Sequence, residues 1–129
     1  MKWVYCVAFV GERFVMVFNP ERNGWEMPGG KVEEDESFEE AAIRELKEEC
    51  GCNLIPISSK TQRDGVVVCG ELAFWPDNSH PSEMSWDLFE NLPEKLAFSR
   101  EEYEAVLTWA KEENRLYKQR KSERYWPYG

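Results

Sequence analysis

The sequence predicts a mixed α/β domain whose helices and strands lie in layers, and three observations predict it. Two groups of β-branched and aromatic runs, one at the start of the chain and one in its middle, are punctuated by turn residues. A capped helical segment stands between those groups, and a second capped helical segment follows them. Hairpin, helix, strands and terminal helix in that order suit helices packed on a sheet. With 129 residues the chain is long enough for one packed core and too short for two. No repeats, low-complexity tracts or linkers divide it. Residues 1–129 are therefore expected to form one domain, with a basic, aromatic C-terminal tail from about residue 118.

Trp3 to Val10 and Phe14 to Phe18 are apolar runs joined by Gly11-Glu12-Arg13, which reads as a hairpin. Asn19-Pro20 and Asn23-Gly24 punctuate the loop that follows. Trp25-Glu26-Met27 is a short extended piece before Pro28-Gly29-Gly30. Ser37 stands three residues before Glu40, the spacing of a capping box, and the helix it opens runs to Cys50 with Gly51 as its stop. Asn53 to Ser58 and Gly65 to Trp75 read as strands, the second long enough to be central, before a loop from Pro76 to Pro81. Ser99 and Glu102 make a second capping box, and Tyr103, Val106, Leu107, Ala110 and Leu116 supply the apolar stripe of the last helix.

Bulk composition narrows the chemistry. A 42% hydrophobic content with six tryptophans argues for a folded globule. The run from Trp3 to Val10 is too short to span a bilayer and lacks a cleavage site, so a cytoplasmic protein without a targeting segment or membrane association is expected. The four cysteines, Cys6, Cys50, Cys52 and Cys69, are scattered and read as reduced thiols. With His80 they have the wrong spacing for a closed zinc site. A net charge of −9 argues against a nucleic-acid polymer as partner. The charge is uneven, because Arg115, Lys118, Arg120, Lys121 and Arg124 face only Glu123 near the C-terminus. An acidic body that handles a polyanion needs a cation between them, which points to a divalent metal.

The segment from Gly30 to Cys52, GKVEEDESFEEAAIRELKEECGC, gives that metal a place. On a helix starting near Ser37, Glu45, Glu48 and Glu49 are related by steps of three and four, so their carboxylates share one face. Like charges so close repel, and a hard divalent cation such as magnesium or manganese relieves the repulsion. Three glutamates in the C-terminal half of a helix also oppose its dipole. Phe38, Ala42 and Leu46 lie on the neighbouring face and would anchor the helix to the sheet. Arg44 stands one turn before Glu48, placed to orient that carboxylate or to neutralise part of the cluster.

Gly30, Glu36, Arg44, Glu45, Leu46, Glu48, Glu49 and Gly51 stand at the spacing of the Nudix box, which this segment resembles; only Cys52 departs, where an aliphatic residue is usual. Cysteine is a small hydrophobe when buried, so the departure is mild. The resemblance implies a Nudix α/β/α sandwich with a mixed β-sheet between helices. It implies hydrolysis of a nucleoside diphosphate linked to another moiety, by water attacking phosphorus with Mg2+ or Mn2+ as cofactor. On the matching positions, Glu48 and Glu49 would be metal ligands, Glu45 a ligand or the general base, Arg44 the orienting partner, and the Gly29 carbonyl a further ligand. Many members add a loop carboxylate; Glu83 lies where one is expected, with Glu71 and His80 as rivals.

The box does not choose the substrate. Markers of ADP-ribose and dinucleoside polyphosphate enzymes would fall near Val67 to Gly70, and neither is present. The entry from Trp25 to Val32 and the approach from Asn91 to Phe98 resemble MutT-like members, in particular bacterial-type 8-oxo-dGTP diphosphatases. That resemblance implies a small-molecule nucleoside triphosphate cleaved to monophosphate and pyrophosphate. Another nucleoside diphosphate derivative and a silent nucleotide-binding module are the alternatives. Trp25, Lys31 and Arg13 are candidate substrate contacts, Trp25 with Phe74, Trp75 and Trp86 as stacking platforms and the two cations for phosphates.

Overall fold

The computed structural model describes residues 2–63, 65–74 and 82–124. Its elements are β1 (Trp3–Val10), β2 (Arg13–Asn19), β3 (Gly24–Glu26), β4 (Gly29–Lys31), α1 (Phe38–Cys50), β5 (Asn53–Gln62), β6 (Gly65–Ala73), β7 (Ser85–Phe89) and α2 (Arg100–Arg124). The strands make one mixed sheet with the path β3-β2-β1-β6-β5. β1 and β6 run parallel from Trp3↔Gly65 to Phe9↔Glu71, and the other strand pairs are antiparallel. β4 joins β1, while β7 joins β2.

Alternation along β1 separates two core layers. Val4, Cys6 and Ala8 pack with Ala41, Ala42 and Leu46 of α1. Val7 and Phe9 pack with Tyr103, Val106, Leu107 and Ala110 of α2. Successive side chains on a strand point to opposite faces, so the two helices cover opposite sides of the sheet. This is the expected α/β/α sandwich. Leu46 is fully buried at its centre, and removing such a side chain costs roughly 2–5 kcal/mol.

Local signals set α1 as expected. Ser37 Oγ accepts the Glu40 N–H at 3.0 Å, and Glu40 Oε1 accepts the Ser37 N–H at 3.0 Å. At the other end Gly51 takes φ 70°, a left-handed conformation that favours glycine, and its N–H donates to the Lys47 carbonyl. The second capping box is not formed as expected, since the Glu102 carboxylate reaches Arg63 at 3.0 Å. α2 continues through residue 124, so residues 118–124 of the expected tail are its last turns. The rest of the tail, 125–129, lies outside the described residues, as do Trp75 and His80.

Two strands go beyond the sequence expectation. β4 is mostly glycine and carries no side-chain pattern, and it is a strand because β1 pairs with it. β7 pairs with β2 from Phe14↔Phe89 to Phe18↔Ser85. β5 also runs four residues past Ser58 to Gln62, crossing a bulge between Pro56 and Ser58. Among the described residues, no helix is long and apolar enough to cross a membrane.

Candidate active site

One edge of β1 is shared, and that sharing builds the site. Its end pairs with β2 at Phe9↔Phe14 and Val10↔Arg13, whereas its beginning pairs with β4 at Val4↔Gly30 and Tyr5↔Gly29. Between them the Cys6 N–H donates to the Pro28 carbonyl at 2.9 Å. Hydrogen-bonding groups alternate in direction along an antiparallel ladder. Gly29, lying between Pro28 and Gly30, therefore turns its polar groups away from β1. Its N–H indeed donates to Glu49 Oε2 of α1 at 3.1 Å. In extended backbone the carbonyl of the same residue points to the same side, so the Gly29 carbonyl faces α1 as well.

Gly30 leaves room for a close approach of Glu45. A Cβ built there would sit 2.4 Å from Glu45 Oε1, so any side chain at this position would displace the Glu45 carboxylate. Arg44 then spreads its donors over the box. It grips Glu36 with Nε at 2.7 Å and Nη2 at 2.9 Å, donates from Nη2 to the Lys31 carbonyl at 3.0 Å, and reaches Glu45 Oε1 from Nη1 at 3.0 Å. Glu48 is a weaker partner at 3.4 Å, and exposed Glu33 lies farther still at 3.8 Å. Arg44 therefore orients Glu36 and Glu45 more than Glu48. The hydrogen bond from Arg44 holds the Glu36 carboxyl down at about 2, and the same bond raises the proton affinity of the guanidinium.

Glu45 and Glu49 are both shifted the other way from Glu36. Burial raises the Glu45 carboxyl above the usual range, against the lowering effect of Arg44. Burial, then the charge of Glu45, lifts Glu49 to about 8, with the Gly29 N–H pulling the other way and Glu26 and Glu48 adding repulsion. Glu48 is 44% exposed at the mouth of the cluster. Among the described residues no three acidic, thiol or imidazole groups already close round one point. The donor set nevertheless fits a hard divalent cation: half-buried carboxylates at close quarters, with repulsion that Arg44 offsets only in part, beside an outward-facing main-chain carbonyl.

Other expected residues fall differently. Glu83 is exposed, but its N–H donates to the Glu48 carbonyl at 3.0 Å and the Met84 N–H donates to the Glu49 carbonyl at 3.2 Å. Its backbone thus docks on the last turn of α1. Glu71 is directed to the α2 side, opposite Phe9, and lies 3.6 Å from Lys121. Lys31 stays exposed next to Gly30. Arg13 and Trp25 lie apart from the carboxylates. Arg13 pairs with Val10, six residues along β1 from Val4, which is about 20 Å at about 3.3 Å per residue from the Gly30 end. Trp25 is half-buried on the α2 side and packs edge-on with its ring 5.4 Å from Phe18 and 4.8 Å from Phe89. Trp86 packs on the α1 layer, its ring 6.4 Å from that of Phe74. All four cysteines are free and buried.

Glu36 and Glu26 are the groups that sequence reading left without a role. Glu36 was visible in the box spacing, but only the folded chain shows that Arg44 is committed to it. Glu26 shares the short segment before Pro28 with Trp25, and its face is set by pairing with β2.

Comparison with known proteins agrees with this fold. A sequence profile described as the NUDIX domain matches residues 4–121. The chain is 40% identical over 55 residues, 43% of its length, to an RNA pyrophosphohydrolase of Wolbachia pipientis wMel. It is 43% identical over 53 residues, 41% of its length, to a Bacillus subtilis (strain 168) protein provisionally assigned as an 8-oxo-dGTP diphosphatase. These matches span 31% and 33% of the relatives' own lengths. Among solved structures, a Bacillus subtilis pyrophosphohydrolase superposes with TM-score 0.57 and 25% identity, over 88% of this chain and 80% of that one.

Proposed function

The chain belongs to the NUDIX domain family, and from that premise we propose that it is a divalent-metal-dependent pyrophosphohydrolase that cleaves a nucleoside triphosphate to monophosphate and pyrophosphate. The observation that carries this reading is the half-buried Glu45 and Glu49 beside Gly29, with Arg44 and Glu36 fixing the first of them. A protein that only bound nucleotides would have no use for an intact cluster of carboxylates whose charges oppose one another. The relatives' names, RNA pyrophosphohydrolase and 8-oxo-dGTP diphosphatase, favour phosphoric anhydride hydrolysis and suggest a purine triphosphate, 8-oxo-dGTP included, as substrate.

Glu48, Glu49 and the Gly29 carbonyl are the groups that would hold Mg2+ or Mn2+. A divalent cation bound there would neutralise phosphate oxygens and acidify a water molecule. Glu45 engages Arg44 through Oε1, leaving Oε2 to draw a proton from the attacking water, a role its raised proton affinity suits. Arg44, braced by Glu36, keeps that carboxylate from swinging. Glu83, docked at the end of α1, would add a loop carboxylate. The partner is a small nucleotide in the cytoplasm.

Incubating the chain with a panel of nucleotides and Mg2+ or Mn2+, and separating the products by chromatography, tests the reading. Monophosphate and pyrophosphate are expected, with activity lost on chelation and poorly restored by Ca2+. Full activity after chelation, or release of orthophosphate and diphosphate, would overturn it.

A further inference from the structure

Glu26 is a charged group beside the carboxylates to which the proposed reaction gives no task. On β3 it lies opposite Val17, and Val17 belongs to the core layer under α1. Cross-strand partners share a face, so Glu26 looks to the same side of the sheet as Glu45 and Glu49. It is also three residues from Gly29, at most about 10 Å of extended chain. Its side chain is 13% exposed. Oε1 accepts from Asn19 Nδ2 at 3.2 Å, and Oε2 accepts from Arg22 Nη1 at 3.1 Å.

The same guanidinium of Arg22 rests 4.8 Å over the ring of Phe98, which is 45% exposed. Backbone fixes the spacing of these groups. The Trp25 N–H donates to the Lys95 carbonyl at 2.8 Å and the Ala97 N–H donates to the Trp25 carbonyl at 2.9 Å, tying β3 to the segment that carries Phe98. A planar cation held over an exposed ring while one of its N–H groups meets a carboxylate marks out a slot that a nucleobase could take, face to the ring and donor edge to the acid.

We propose that Glu26 and Phe98 determine base specificity, Phe98 stacking on the nucleobase and Glu26 accepting its edge donors, with Arg22 filling that slot in the free protein. This rests on the nucleotide reading of the site. A carboxylate takes two adjacent donors at once, and a guanine-type edge offers them, the ring N1–H and the 2-amino group. Hypoxanthine offers only the first, and adenine sets a donor beside an acceptor that would face the anion. Arg22, with 54% of its side chain exposed, is free to swing into water when a base enters.

Equilibrium binding of the α,β-methylene analogues of guanosine, inosine and adenosine triphosphates, with Mg2+, tests this on the whole chain. The guanosine analogue should bind about ten- to hundredfold tighter than the inosine one, as expected for a lost hydrogen bond to a charged group, and the adenosine analogue should bind weakest. In Glu26→Gln the amide presents an acceptor and a donor, so the adenosine analogue should gain relative to guanosine, a swap that a merely structural role would not produce. Phe98→Ala should weaken all three alike, and Arg22→Ala should tighten them. Equal binding of the three by wild type, or an unchanged ranking in Glu26→Gln, would overturn the proposal. Base discrimination without hydrolysis of any triphosphate would leave this slot standing and remove the hydrolase reading; hydrolysis without base discrimination would do the reverse.

Discussion

Arg44 holds Glu36 through two hydrogen bonds of 2.7 and 2.9 Å, both shorter than its contacts to Glu45 and Glu48. A bidentate guanidinium–carboxylate pair fixes direction as well as distance. Glu36, before α1 begins, therefore decides where the arginine inside α1 can point.

Glu36→Ala should lower turnover about tenfold or more while changing KM little, because the freed Arg44 no longer restrains Glu45. Steady-state kinetics checks it. The pair is partly buried, with 24% and 13% of the two side chains exposed, so the thermal midpoint should fall as well, by the loss of a charge-assisted hydrogen-bonded pair. Unchanged turnover would remove Glu36 from the site.

Glu49→Gln should reduce turnover by several orders of magnitude and change the pH dependence of stability. The Glu49 carboxyl titrates at about 8 in the folded chain against an ordinary 4.5, so between those values the folded state keeps a proton that the unfolded state has lost. Unfolding then releases a proton, and the stability of the metal-free protein falls as pH rises from about 4.5 to about 8. The glutamine variant lacks this contribution and should melt above wild type at pH 8 without metal. Thermal melts across pH decide it; a variant that melts lower throughout would mark Glu49 as structural.

Gly30→Ala should disturb the site with little damage elsewhere. The added methyl group meets Glu45 Oε1, the movable end of a side chain, and pushes it from its place. A displacement near 1 Å can cost on the order of a hundredfold in rate. Kinetics and Mn2+ affinity measured by electron paramagnetic resonance should both be impaired, whereas a fully active variant would show that Glu45 tolerates displacement.

Glu83→Gln should lower turnover more than substrate affinity, and Glu71→Gln should lower neither. Glu71 lies on the α2 side of the sheet with Lys121. A crippled Glu71→Gln beside a normal Glu83→Gln would reverse the assignment.

Short-range features were legible in the sequence. The Ser37–Glu40 capping box, the Gly51 stop and the shared face of Glu45, Glu48 and Glu49 depend on residues a few positions apart in one helix. The two helices and the central strand followed from periodicity. What stayed hidden depends on pairing between distant segments. β4 has no side-chain signal, Glu26 acquires its face from Val17, and Arg44 chooses among several acids only when Glu36 is folded beside it. Trp25 and Arg13 show the same limit. Ring and cation were compatible with substrate binding, but the strand register sends one into the α2 layer and the other to the far end of β1.

The last turn of α1 is tied down by the main-chain amides of Glu83 and Met84. Such a tether does not depend on which side chains stand at those positions. Apart from proline, which has no N–H to give, residues there can drift in sequence while the helix end that bears Glu48 and Glu49 stays anchored. The position of that helix end is therefore separable from the side-chain chemistry that Glu83 brings to it.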